Sequence, residues 1–172
     1  MSLRPGRPGD AVTVAALAVQ VFLDTYATEG VRPDLAREAF RGYSESAFLQ
    51  RLSAPGRSFV LAETDAALVG FVELDCSASP GPVQGLAGAE LVCLYVQPQA
   101  QRAGVGSALL REAEAMAQRA GASSLWLSAW EGNARALAFY ARAGYDDVGA
   151  SEYTFEGRAY ANRVFAKRIV PG

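Results

Sequence analysis

At 172 residues the chain suits a single domain over residues 1–172, and a chain of this size buries about 70% of its unfolded surface without disulfide or metal staples. Hydrophobic residues make up 51% of it and the net charge is −2, which supplies a core and argues against a nucleic-acid partner. Its two cysteines, Cys76 and Cys93, and its lack of histidine leave no disulfide framework and no metal site, and they exclude Ser-His-Asp and Cys-His mechanisms.

Residues 2–4 read as a short edge strand before the Pro/Gly-rich RPGRPGD. The arginines and the apolar run after them have the outline of a signal peptide. Asp10 stands at an N-cap position, however, and Gln20 and Asp24 fall in or just after the run. This predicts a folded amphipathic helix over residues 10–26 with Val14, Leu17, Val21 and Phe22 on one face. No stretch reaches the roughly 18 apolar residues that a membrane span needs. A soluble, cytoplasmic protein with no membrane partner is expected.

A shorter helix lies in SESAFLQRLS, with Ser44 as N-cap and Pro55-Gly56 ending it. SFVLAETDAALVGFVELD predicts a β-hairpin turning at Thr64-Asp65. CSASPGPVQGLAG is a loop of small residues. AELVCLYVQ is apolar almost throughout, as a strand covered on both faces would be. The helix after Gly104 turns Val105, Leu109, Ala113, Met116 and Ala117 inward and ends at Gly121. SLWLSAW is a strand. NARALAFYARAG is a helix that opens at Asn133 and closes at Gly144. YDDVGASEYTF and RAYANRVFAKRI form a closing antiparallel pair. The strand–helix–strand centred on Gly104 implies a parallel pair joined by a right-handed crossover. The whole is an α/β or mixed α+β domain, with helices on both faces of a mixed sheet.

The chemistry concentrates in QRAGVGSA, residues 101–108. The first N–H groups of a helix lack internal partners and carry the positive end of the helix dipole, so they bind phosphate. Glycines there allow close approach of a ligand. The segment lacks the lysine of a P-loop, and Leu109 stands where a dinucleotide fingerprint needs a third small residue. It is either a diphosphate cradle of another kind or a tightly packed turn.

LYVQPQAQRAGVGSALL resembles motif A of the GCN5-related N-acetyltransferases, through Val96, Pro98, Gln101, Gly104 and Gly106, with Arg102 at the usual glycine. NARALAFYARAGYDDVG resembles the family's motif B, through Asn133, Ala136, Phe139, Tyr140, Gly144 and Tyr145. The likeness covers residues 57–150 well and the rest loosely. WLSAWEGNARALAFY is further similar to PaiA-type polyamine acetyltransferases, with Tyr153 where that subgroup has a histidine.

The resemblance implies an acyl-CoA N-acyltransferase fold: a mixed sheet of six to seven strands flanked by about four helices. It implies acetyl-CoA as cosubstrate, no metal, and direct transfer to a primary amine in a ternary complex. In the family, the backbone of Leu94, Tyr95 and Val96 would pair with the pantetheine arm between two splayed parallel strands, the Val96 N–H polarising the thioester carbonyl. The amides of Gln101, Arg102, Ala103, Gly104, Val105, Gly106 and Ser107 would wrap the pyrophosphate. Asn133 would contact pantetheine, cap its helix, or do both. Tyr140 matches the general acid, its other role being a core tyrosine beside Phe139. Glu90 matches a position of the general base, its other role being a solvated strand-end carboxylate, and Val92 replaces a second glutamate often present in the subgroup.

Trp126, Trp130, Phe22 and Tyr26 either line an acceptor pocket or pack the core. Glu73, Asp75 and Glu131 either draw in a cationic amine or are surface charges. The acceptor is expected to be a small-molecule amine such as a polyamine or amino acid. A protein N-terminus or lysine, and a noncatalytic acyl-CoA sensor on the same fold, are the alternatives. A homodimer is compatible with the family.

Overall fold

In a computed structural model, which describes residues 1–65, 67–77 and 80–169, the chain runs β1 (Ser2–Pro5), α1 (Ala11–Tyr26), α2 (Pro33–Gly42), α3 (Glu45–Ser53), β2 (Arg57–Thr64), β3 (Ala67–Asp75), β4 (Ala89–Val96), α4 (Val105–Arg119), β5 (Ser124–Trp130), α5 (Ala134–Arg142), β6 (Asp146–Phe155) and β7 (Arg158–Arg168). The strand order is β1-β2-β3-β4-β5-β7-β6. Residues 78 and 79 of the small-residue loop, residue 66 after the hairpin turn, and residues 170–172 lie outside the described residues. Among the described residues no helix is long and apolar enough to cross a membrane.

The predicted elements form where their patterns place them, and one helix adds to them. α2 begins with Pro33 at its first position and Asp34 in its first turn, both favourable at a helix start. It buries only Leu35 and Ala39, while Phe40 points outward at 80% exposure. That outward aromatic breaks the apolar period and hides the helix from a pattern reading.

The contacts gather into two compact units. The first comprises Met1–Glu73 and Leu94–Glu112. Val14, Leu17, Val21 and Phe22 of α1 are buried as their spacing requires. An aromatic cluster holds the centre: Phe48 of α3 meets Phe71 of β3 edge-on at 5.9 Å and Phe59 of β2 at 6.3 Å. Ser44 caps α3, accepting from the Ala47 N–H at 3.2 Å. Asp10 precedes α1 but its side chain makes no cap bond. Instead its carboxylate takes two hydrogen bonds from the Arg4 guanidinium, at 2.9 and 2.8 Å, and one from the Arg7 N–H at 2.8 Å. Arg4, foremost, holds that carboxyl below the usual carboxylate range. A cation across the turn outbids the exposed helix amides because a bidentate, charge-assisted pair is the stronger bond.

Glu73 is not a surface charge. It is fully buried at 0% exposure. Arg57 of β2 donates to it at 2.6 Å, and Arg51 of α3 donates twice, once at 3.1 Å through Nε and once through Nη2. Arg51 also lies 4.4 Å over the Phe48 ring. This cluster ties α3 and the start of β2 to the end of β3, and it leaves Glu73 no role in attracting an amine.

The second unit comprises Leu74–Cys93 and the chain from Ala113 on. β4 and β5 pair in parallel, Ala89 with Leu125 and Glu90 with Trp126. β5 pairs antiparallel with β7 along its whole length, and β7 with β6. Leu125, Leu127, Val164 and Phe165 are buried, with Tyr140 and Tyr145 beside them. Gly121 closes α4 at φ +78°, as a C′ glycine does. Lys167 of β7 donates to Glu114 of α4 at 2.9 Å, and the Tyr145 hydroxyl donates to the same carboxylate oxygen at 3.1 Å. Tyr145 of motif B is thus a structural tie between α4 and the start of β6.

Candidate active site

In the first unit, β4 runs through Leu94, Tyr95 and Val96 into Pro98, and α4 opens at Val105. The Tyr95 side chain turns into the aromatic cluster, 5.6 Å from Phe71, and its hydroxyl lies 3.1 Å from that of Tyr43. What this segment can offer a ligand is therefore backbone, as the resemblance implies. The Gln101 amide donates to the Val96 carbonyl at 3.0 Å, closing the turn back onto the strand end. Its side chain shapes the loop.

Arg102, Ala103, Gly104 and Ser107 are exposed, Gly106 is half-buried, and Val105 is buried to anchor the helix start. Gly104 has φ +81°, and a Cβ there would meet nothing within 4 Å. The glycine is needed for its backbone angle, and the space in front of it is open to a ligand. The Gly104 carbonyl accepts from the Ala108 N–H at 3.0 Å, which leaves the amides of the first turn as a helix N-terminus presents them. An exposed turn with open space before free first-turn amides fits a diphosphate.

Arg102 takes the left-handed conformation, φ +66°, with a full side chain. Arg102→Gly is expected to raise stability by about 1 kcal/mol, the relieved strain exceeding the chain entropy that glycine adds. Thermal unfolding should show a midpoint about 2–4 °C higher, and an unchanged or lower midpoint would contradict the strain.

The other candidate residues lie in the second unit. Asn133 caps α5, its Oδ1 accepting from the Ala136 N–H at 3.1 Å. The Nδ2 group takes no part in the cap. About two turns on, Tyr140 is buried, at 6% exposure, among Phe139, Tyr145 and Phe165 at ring distances of 5.1, 5.9 and 6.1 Å. No hydrogen bond to its hydroxyl occurs among the described residues. Burial pushes the phenol well above its usual range, and the neighbouring Cys93 thiol of β4 adds to the shift. A phenol so placed stays protonated, as a proton donor must.

Glu90 is half-buried near the start of β4, in register with Trp126. Register neighbours share a face of the sheet and consecutive residues alternate. Trp126 and Leu127 therefore face opposite ways, and Leu127 is in register with Phe165, against which Tyr140 packs. Glu90 and Tyr140 thus belong to opposite faces of one sheet. Past Glu90 and Trp126 the parallel ladder stops, and Leu91–Cys93 continue beyond it. An acid on one face and a carboxylate on the other, at strands whose pairing ends between them, can serve a reaction that removes a proton on one side and delivers one on the other.

Trp126 and Phe22 are buried, and Trp130, Tyr26 and Asp75 are half-buried, while Glu131 is exposed. Cys93, which alternates with Leu91 and Tyr95 along β4, is a neighbour of Tyr140 that no motif marks.

The family model for the acetyltransferase (GNAT) family matches residues 22–145. An uncharacterized N-acetyltransferase from Lactobacillus delbrueckii subsp. lactis is 27% identical over 129 residues, 75% of either chain. A GCN5-related N-acetyltransferase from Rhodopseudomonas palustris is similar in structure at TM-score 0.73 and 28% identity, over 97% of this chain and 94% of that one. The PaiA N-acetyltransferase of Thermoplasma acidophilum, solved with coenzyme A, superposes at TM-score 0.76 and 23% identity, over 98% and 99% of the two chains. With seven strands and five α-helices in this order among the described residues and the family model spanning most of its length, the chain belongs to the GNAT family of acetyl-CoA-dependent N-acetyltransferases.

Proposed function

We propose that the protein acetylates the primary amine of a small molecule by direct transfer in a ternary complex. The amine nitrogen attacks the thioester carbonyl carbon, and the C–S bond breaks as the C–N bond forms. Tyr140 gives its proton to the departing thiolate, and Glu90 takes one from the amine. The observation that carries this reading is the buried Tyr140 side chain, whose hydroxyl makes no hydrogen bond among the described residues and whose burial holds the phenol above its usual range. The turn at 101–107 and the backbone of Leu94–Val96 are the elements that would hold acetyl-CoA.

The test is thiol release from acetyl-CoA by the purified protein, with a panel of small amines beside a panel of peptides with free N-termini or lysines. Turnover with small amines is expected. Turnover with peptides alone would assign a protein acceptor instead, and acetyl-CoA binding without turnover on either panel would assign a sensor.

A further inference from the structure

Cys93 stands on the Tyr140 side of the sheet. Register neighbours share a face and consecutive residues alternate. Glu90 is in register with Trp126, so Leu91 shares the face of Leu127, and Cys93 shares it with Leu91. Leu127 is in register with Phe165, whose ring lies 6.1 Å from that of Tyr140. The parallel ladder stops at Glu90 and Trp126, short of Cys93, so no β5 residue pairs with it among the described residues. Cys93 is half-buried and in no disulfide.

A second observation lies beside it. Tyr140 is buried at 6% exposure, yet its hydroxyl makes no hydrogen bond among the described residues. Folded proteins satisfy nearly all such groups, so a buried O–H with no acceptor points to an acceptor the chain does not supply. Cys93 and Tyr140 share a face and lie close enough for the thiol to bear on the phenol's ionisation. A sulfur anion is the acceptor that the acetyl-transfer reading brings there, in the departing thiolate of coenzyme A. The residue after Cys93 is Leu94, where the backbone that would hold the pantetheine arm begins. A coenzyme thiol held for transfer therefore comes to rest beside a second thiol, that of Cys93.

We propose that Cys93 is a thiol–disulfide exchange site through which coenzyme A disulfide switches the enzyme off. The inference rests on the acetyl-transfer reading and adds a redox control to that site. Cys93 gives its proton to solvent, and its thiolate attacks one sulfur of the disulfide. The S–S bond of the reagent breaks as a bond between Cys93 and one coenzyme A sulfur forms. The other coenzyme A leaves as thiolate and takes up a proton from solvent. Cys93 is oxidised and one half of the reagent is reduced, with no further oxidant. The coenzyme retained lies in the place of acetyl-CoA, so transfer stops until an external thiol reverses the exchange. Coenzyme A disulfide is favoured over other small disulfides because the turn at 101–107 holds its diphosphate, which raises the local concentration of its sulfur at Cys93. Cys76 supplies an internal contrast. Burial, and then Asp75, hold its thiol above the usual range, which leaves less thiolate to attack.

The intact protein is incubated with coenzyme A disulfide and, separately, with glutathione disulfide, and the mass of the chain and of its cysteine peptides is followed. A single adduct, coenzyme A less two hydrogens, is expected on Cys93 and none on Cys76. Formation of the acetylated amine should fall in proportion to the adduct, and dithiothreitol should restore it. Glutathione disulfide should react about tenfold or more slowly, and saturating acetyl-CoA should slow the coenzyme A reaction by about the same factor. Cys76→Ser should react as the wild type does. Cys93→Ser should take no adduct and keep its own turnover through the treatment. An adduct on Cys76, a bridge between the two cysteines, equal rates with both disulfides, or full turnover in the Cys93 adduct overturns the exchange site, while turnover of the untreated protein leaves the acetyl-transfer reading standing. A Cys93 adduct with these preferences, in a protein that acetylates no amine, upholds the exchange site and overturns the acetyl-transfer reading.

Discussion

Tyr140→Phe is expected to lower turnover about 10²–10⁴-fold, the usual contribution of a positioned general acid, with the fold intact. The ring keeps its contacts with Phe139, Tyr145 and Phe165. The hydroxyl has no hydrogen bond among the described residues, so its loss strands no partner. The KM for acetyl-CoA should change little, since the lost interaction forms as the thiolate leaves. The pH behaviour provides a second check. Burial raises the phenol above its ordinary value of 10.0, so this acid does not limit wild-type turnover below about pH 10. The stability tied to it is fully present below about pH 10 and is lost as the pH climbs toward the folded value, because there the unfolded phenol ionises first. Thermal unfolding from neutral to strongly alkaline pH should therefore fall less steeply in the Phe variant. Turnover within about threefold of wild type would remove Tyr140 from the chemistry.

Glu73→Gln should cost about 3 kcal/mol of stability, the low end for breaking a buried ion pair from one side. That corresponds to an unfolding midpoint lower by about 6–12 °C in a chain of this length. The carboxylate is fully enclosed, while the Arg51 and Arg57 side chains are 24% and 29% exposed and recover some water when it is gone. That recovery places the loss at the low end. Replacing both arginines by methionine should cost more, because the charge left alone is then the one with no route to solvent. Urea unfolding of the variants checks the order. A loss under about 1 kcal/mol for Glu73→Gln, or a milder loss for the double arginine variant, would show that the cluster does not hold α3 to the sheet. Activity at low temperature should remain near wild type, since Glu73 has no exposed surface and its described hydrogen bonds are to Arg51 and Arg57.

Where the chain announces its structure locally, reading it was enough. Ser44 caps α3 and Asn133 caps α5 because each side chain reaches an amide three residues on. Gly104 and Gly121 take positive φ where a helix start and a helix end demand it. α2 is not legible in the sequence because Phe40, outward on a short helix, cancels the period that Leu35 and Ala39 establish. Asp10 stands at the N-cap position its neighbours in sequence predict, but its carboxylate binds Arg4, brought round by the turn between them.

The sequence by itself determined the order of every element but α2, the glycine-bearing helix start at residues 101–107, the family, and the placing of Asn133 and Tyr140 on one helix, because each depends on residues within a turn or two of one another. The tertiary structure alone decided that Glu73 is enclosed by two arginines, that Glu90 and Tyr140 lie on opposite sheet faces, and that Cys93 shares the face of Tyr140. Those facts follow from strand register and from packing between distant segments, where burial sets the energy of a charge or a polar atom and no local pattern records it.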